Sequence, residues 1–247
     1  MKTFSITDTG ILRTMNQDYF FTADSAVGNL PNLYIVSDGM GGHKAGEYAS
    51  RYTVERVVAS SSRNRSKNPV KILREAIEKA NEILVMEADA DESKKGMGTT
   101  IVAATIADGK MCVTNVGDSR LYVIGDTIKQ ITKDHSYVAE MVRRGEVDPK
   151  NARMHPDKNI ITRAVGASEV IQPDFFEVDL KESDVVLLCS DGLSNMVTDE
   201  EICRIIKEAS DLNEAGKRLV EEANKNGGSD NITIVMIKPD SDEVREC

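Results

Sequence analysis

Two uninterrupted apolar runs that stop on Asp-Gly constrain the fold of this chain more than any other feature of its sequence. Leu33, Tyr34, Ile35 and Val36 lead through Ser37 into Asp38 and Gly39, and Val185 to Cys189 lead through Ser190 into Asp191 and Gly192. Short continuous runs of this kind read as strands buried inside a core, so each delivers a carboxylate to its tip. An ionised carboxylate beside apolar chain is costly unless it is paired, hydrogen-bonded or bound to a metal. Glycines at 39, 41 and 42 let backbone approach whatever sits there.

Two more aspartates stand at strand margins. Asp230, within residues 227–231, precedes the run 232–237, and Asp118 lies between the runs 111–116 and 121–124. Taken singly, an Asp-Gly pair is as readily a tight hairpin turn. Asp108-Gly109 and Gly125-Asp126 join neighbouring strand-like segments across short gaps and read as plain hairpins. Asp38 and Asp191 differ, because a helical pattern rather than a partner strand follows their glycines. Several aspartates gathered at strand ends, with no Cys or His at ligand spacing, suit hard cations such as Mg²⁺ or Mn²⁺ and disfavour zinc. Two such ions about 3.5–4 Å apart activate a water and clamp the oxygens of an in-line displacement at phosphorus. Phosphate chemistry also calls for a fixed guanidinium.

The chain has 247 residues, enough for one large core or at most two small domains. No linker-like stretch divides it, so a single domain over 1–240 with a short tail at 241–247 is expected. Lys+Arg 31 against Asp+Glu 41 gives a net charge of −10, which argues against nucleic acid or an anionic membrane as the main partner. Cys112, Cys189, Cys203 and Cys247 lack C-x-x-C spacing, and Cys189 falls in an expected core strand, so a reduced chain is expected rather than a disulfide framework. Terminal Cys247 makes no prenylation box. The first ten residues lack the apolar stretch of a signal peptide and no run approaches a membrane span, so the expected location is the cytoplasm.

Residues 2–6 read as a short alternating strand. The loop 13–18, R-T-M-N-Q-D, sets a cation near a carboxylate, by itself no more than an ordinary surface salt bridge, and precedes a strand at 19–23. Ala45, Ala49, Tyr52 and Val58 predict a helix over 45–60, broken by serines. Asn68 and Pro69 predict the cap and first residue of a second helix, with Val70, Leu73, Ile77, Ala80 and Leu84 on one stripe, fading at 87–92. Asp89 and Asp91 open no calcium loop, since Lys94 stands where Gly is required and Thr100 where Glu is. Four strand-like segments over 98–131 follow in meander order, joined by the two hairpins and the Gly117-Asp118 junction. Next come a helix over 135–144 and a charged, Pro-punctuated flap at 145–163 that is expected to govern substrate access. His155 in the flap reads as a loop histidine before Pro156 rather than an acid-base group. Strands at 174–179 and 184–190, a helix capped by Thr198 with Glu201 three residues on, and a helix over 213–225 ending at Asn226-Gly227-Gly228 complete the pattern. About ten strands and five helices, with sheet-rich runs between helix pairs, predict an α+β fold of packed antiparallel sheets covered by helices. The strand ends carrying Asp38, Asp118, Asp191 and Asp230 are expected to converge.

Arg13-x-x-Asn16-x-Asp18, Asp38-Gly39-Met40-Gly41-Gly42, Gly98-Thr99-Thr100, Val116-Gly117-Asp118-Ser119-Arg120, Ser190-Asp191-Gly192 and Ser229-Asp230-Asn231 occur in that order. The set resembles the motifs of the metal-dependent type 2C (PPM) serine/threonine protein phosphatases, in their bacterial form. Each motif is weak alone; six in order across nearly the whole chain carry the resemblance. It implies a catalytic domain built as a four-layer α-β-β-α sandwich, two antiparallel sheets flanked by helix pairs. It also implies a centre of two Mn²⁺ or Mg²⁺ ions with a third, weaker one, and direct attack of a metal-bridging water on phosphoserine or phosphothreonine. Carried across, Asp38 bridges both ions and the Gly39 carbonyl ligates one, while Asp191 and Asp230 hold the other. Asp118, with Asp191, matches the third-ion positions, Asp18 acts through a metal-bound water, and Arg13 holds the substrate phosphate. Animal members carry His directly after the Asp-Gly as general acid. Met40 stands here and donates no proton, which leaves that role to a water, with His43 as either a helper or a helix-start residue. The partners implied are phosphorylated proteins, among them a Ser/Thr kinase and its targets, with the chain a monomer. Two other readings share these residues. One is a catalytically inactive binding module, against which the full aspartate set argues; the other is a phosphoesterase of small molecules, since Arg13 recognises phosphate whatever carries it.

Overall fold

In the computed structural model, which describes residues 1–42 and 44–239, the apolar runs become inner strands of two antiparallel sheets. His43, the tail at 241–247 and Cys247 lie outside the described residues. One sheet has the order β1 (Lys2–Asp8), β11 (Ile232–Lys238), β10 (Val185–Cys189), β7 (Arg120–Ile124), β8 (Ile128–Gln130). The other runs β2 (Asp18–Ala23), β3 (Leu33–Met40), β5 (Ile101–Ala107), β6 (Lys110–Val116), β9 (Asp174–Asp179), with the short β4 (Gly98–Thr99) beside β3.

Successive side chains of a strand point to opposite faces, which sorts each inner strand between two cores. Tyr34 and Val36 join Val102, Ala104, Val186, Leu188 and Val235 between the sheets. Leu33 and Ile35 turn the other way, packing with Val54 and Val57 of α1 (Ala45–Arg63) and Leu73 and Ile77 of α2 (Pro69–Ala90). On the far side Leu187, Cys189, Ile234 and Met236 pack with Ile202 and Ile205 of α6 (Asp199–Glu208) and Leu219 of α7 (Leu212–Lys225). The four layers are therefore α-β-β-α, as expected. Cover on both faces explains why these antiparallel strands show no polar alternation, the pattern of a sheet with one wet face.

The expected meander breaks at Gly117-Asp118. β5 and β6 pair through a turn with φ of +51° at Asp108 and +76° at Gly109, and β7 pairs with β8 around Gly125. β6 and β7, however, belong to different sheets. Residues 117–119 carry the chain between layers, with Gly117 at φ +106°, where a Cβ would lie 2.6 Å from Thr100 Cγ2. Asp118 thus sits on the seam between sheets, not in a hairpin.

Helix ends also differ from expectation. α1 runs through its serines to Arg63 because Ser50 and Ser61 are buried; its inward stripe is Ala49, Thr53, Val54 and Val57, with Tyr52 and Val58 at the margin. Packing overrides the modest helix propensity of serine. α2 opens as expected, the Asn68 side chain accepting the Lys71 N–H at 3.1 Å, but continues to Ala90. Three short helices complete the set: α3 (Tyr137–Arg143), α4 (Pro149–Ala152) inside the flap and α5 (Asp191–Ser194). Among the described residues no helix is long and apolar enough to cross a membrane, and Cys112, Cys189 and Cys203 carry free thiols.

Candidate active site

Strand register assembles the carboxylates. Asp18, the first residue of β2, pairs with Asp38 near the end of β3. In the other sheet Cys189 pairs with Ile234, so Asp191 leaves β10 beside the start of β11 and Asp230. Asp118 joins them from the seam. The charges of Asp18, Asp191, Asp118 and Asp230 all act on Asp38, and the carboxyls of Asp38 and Asp191 lie within hydrogen-bonding reach of each other. The strand ends expected to converge thus lie near enough for their charges to act on one another.

Short polar side chains lock the backbones that carry these groups. The Asp38 N–H donates to Thr100 Oγ1 at 2.9 Å, and the Thr100 N–H returns a bond to the Asp38 carbonyl at 2.9 Å. Ser190 Oγ donates to Asp18 Oδ2 at 2.7 Å and accepts the Thr233 N–H at 2.9 Å. Asn231 accepts the Gln17 N–H and donates to the carbonyls of Thr9 and Met15, fastening the loop that leads to Asp18. Gly39 and Gly192 are required for close approach, since a Cβ on either would overlap a backbone carbonyl, that of Gly46 or Asn231. Thr100, Ser190 and Asn231 belong to the motifs read from sequence, yet no role for them followed from it. Asn195, which donates to Asp191 Oδ2 at 2.9 Å, was missed; its only signal was an amide four residues beyond Asp191 in a helical stretch.

Burial dominates the electrostatics. It is the first cause that pushes Asp18 up to about 7 and Asp191 up to about 6, with neighbouring carboxylates adding to both. Asp38 and Asp118 are likewise held well above the usual carboxylate range, by burial first and by nearby aspartates next. Oδ1 of Asp18, Asp118 and Asp191 is buried with no hydrogen-bond partner. Orphaned buried oxygens are expensive, and a hard divalent cation is the natural partner of an all-oxygen set. Among the described residues no three His, Cys, Asp or Glu side chains close on a single point.

Arg13 stands at the rim, half exposed. Its Nη2 donates to Asp230 Oδ2 at 2.8 Å and its Nε to the Ser229 carbonyl at 3.3 Å. The sequence reading gave the two residues separate duties; the structure pairs them. Arg120 of the central motif points elsewhere, forking onto Asp134 at 2.7 and 3.0 Å and holding the Tyr122 hydroxyl. From the flap, the charge of Lys158 favours the ionised form of Asp191, a contribution that sequence alone did not suggest. His155 folds onto its own loop, Nδ1 accepting the Asp157 N–H at 3.2 Å. Met40 ends β3 opposite Gly98.

The family model "Protein phosphatase 2C" matches residues 10–232. The serine/threonine phosphatase stp of Listeria monocytogenes is 39% identical over 243 residues, covering 95% of this chain and 94% of that protein. Among solved structures, serine/threonine phosphatase Stp1 from Staphylococcus aureus superposes with a TM-score of 0.91 at 35% identity, covering 97% of this chain and 95% of that one. The catalytic domain of the serine/threonine protein phosphatase PstP, solved in complex with two manganese ions, superposes with a TM-score of 0.83 at 31% identity, over 95% and 96% of the two chains. With the family model matched over 10–232 and relatives of 39% and 35% identity aligned over nearly the whole chain, the chain belongs to the protein phosphatase 2C family.

Proposed function

We propose that this protein is a Mn²⁺- or Mg²⁺-dependent serine/threonine protein phosphatase that opposes a bacterial Ser/Thr kinase. The observation that carries the reading is the convergence of five aspartates from both sheets, three with buried oxygens that lack donors, beside a half-exposed arginine. In this reading Asp38 and the Gly39 carbonyl would hold one ion, Asp38 with Asp191 and Asp230 the other, Asp18 would act through water, and Asp118 with Asp191 would hold a third. Bound there, the ions supply Lewis acidity and a water acidic enough to attack phosphorus near neutral pH. Arg13 receives the phosphoryl oxygens with its planar fork. Met40 has no proton to give, so the departing serine or threonine alkoxide takes its proton from water. Lys158 brings a positive charge from the flap toward an anionic substrate.

Phosphate release from a phosphothreonine peptide, with Mn²⁺, with chelator and with Asp191→Ala, tests the reading. Turnover should vanish with chelator and fall by more than about 100-fold in the variant, since loss of a supporting group alone costs metal sites about 10–100-fold. A folded, Mn²⁺-loaded protein without turnover would instead indicate a binding module. Faster release from nucleotide or sugar phosphates than from the peptide would indicate a small-molecule phosphoesterase.

A further inference from the structure

His135 lies outside the carboxylate cluster, yet its buried ring joins the two segments that flank it. Its Nδ1 accepts the Gly117 N–H at 3.1 Å, while its backbone N–H donates to the Gly117 carbonyl at 3.0 Å. Asn115 Nδ2 donates to the same carbonyl at 3.1 Å. An accepting Nδ1 fixes the tautomer that carries its proton on Nε2, and Nε2 lies 3.2 Å from Asp174 Oδ2 without the geometry of a hydrogen bond. The other oxygen of Asp174 takes Arg163, the last flap residue, at 2.9 Å. The end of the flap is fastened to the same place through backbone: Thr162 donates to the His135 carbonyl and Tyr137 to that of Ile160, each at 2.8 Å. On the opposite side, Ser119 Oγ meets Thr100 Oγ1 at 2.7 Å, and Thr100 holds the Asp38 N–H.

We propose that His135 is a positioning residue that couples the flap to the turn carrying Asp118. Gly117 adopts a φ of +106° that only its lack of a side chain permits, and the turn is held between Thr100, packed close against Gly117, and the paired bonds to His135. The flap reaches His135 through the Thr162 N–H on its carbonyl, and the Arg163–Asp174 pair fastens the adjoining flap residue beside it. A displacement at the base of the flap is thereby felt at Asp118, and through Ser119 and Thr100 at Asp38.

Two near-isosteric substitutions separate the bonds. Asn places an oxygen where Nδ1 was, keeping an acceptor for Gly117; Gln places its amide near Nε2 and gives that acceptor up. Amide hydrogen exchange on the full chain without added metal is the readout, and it needs no phosphatase activity. His135→Gln should speed exchange by about tenfold or more both at residues 117–119 and at 160–163, whereas His135→Asn should stay within about threefold of the parent at both. Equal behaviour of the two variants, or a Gln effect confined to one segment, overturns the coupling. Should neither variant fold, the exposed Arg163→Ala substitution decides: exchange at 117–119, which Arg163 does not touch, should rise by about threefold or more, and an unchanged rate there overturns the proposal. The consequence for catalysis rests on the phosphatase reading: kcat on the phosphothreonine peptide should fall by about tenfold with Gln and be largely restored with Asn. A parent protein without turnover would refute that reading and leave the exchange result standing.

Discussion

Gly192 shows how a single residue sets the spacing of the site. It lies against the carbonyl of Asn231, so that the turn bearing Asp191 and the strand entry bearing Asp230 share a wall. A Cβ there would overlap that carbonyl, and backbone cannot yield as the end of a flexible side chain can. Gly192→Ala is therefore expected to lose about 1–3 kcal/mol of stability, the usual cost of overpacking, and to push Asp191 away from Asp230. Gly42 offers the contrast within the same motif class: a Cβ there meets nothing within 4 Å, and Gly42→Ala should stay within about 0.5 kcal/mol. Urea unfolding of both variants measures the difference, and coincident midpoints would show that the Gly192 contact relaxes freely. Both glycines were legible as motif members, but only the structure distinguishes the one that is packed from the one that is open.

At the scale of elements, the most readable signals were those whose partners lie nearby in the chain. Thr198 was expected to cap a helix, and its Oγ1 accepts the Glu201 N–H at 3.2 Å at the start of α6. The return arm of a capping box is replaced, because the Glu201 carboxylate pairs with Arg204 at 3.2 Å. Thr198→Ala should then cost about 1 kcal/mol, the value of one cap bond, with little change in activity; a cost near zero by thermal unfolding would mean that water serves the Glu201 N–H equally well. The Asp108-Gly109 turn was likewise legible, because residues with positive φ and two flanking strands specify a hairpin locally. The Gly117-Asp118 junction was not. Nothing within 116–120 records that β6 and β7 belong to different sheets, since that outcome is decided by which distant strands flank each one, β5 and β9 for β6, β10 and β8 for β7. The same limit hid His135: its meaning comes from Gly117, Asp174 and Arg163, each far from it in sequence or on another element. The aspartates were readable because a carboxylate at the end of a doubly covered strand is costly wherever the strand lies.

At the scale of the whole molecule, that cost becomes a dependence of stability on pH. Asp18 and Asp191 are pushed up to about 7 and about 6, and Asp38 and Asp118 well above the normal range, by burial first. A group whose folded pKa exceeds its unfolded value binds more protons in the native state, so stability falls as pH rises between the two values. Without divalent ions the protein should lose stability as pH rises from about 4 to about 7, by on the order of a few kcal/mol, as Asp191 and then Asp18 ionise in their buried sites. Other groups oppose it over part of that window. His135, lowered by burial, adds stability with rising pH only below its ordinary range near 6.5. Glu208 and Glu214, lowered by hydrogen bonds to Arg218 and Ser210 first, act only below about 4.5. Divalent cations require the ionised carboxylates, so their stabilising effect should grow over the same interval. Thermal unfolding at pH 5, 6 and 7, each with chelator and with Mn²⁺, measures both trends. A midpoint that rises with pH under chelator would mean that the four carboxyls are not mutually opposed in the folded chain. A gain from Mn²⁺ that does not change with pH would mean that the ion is held by groups other than these aspartates.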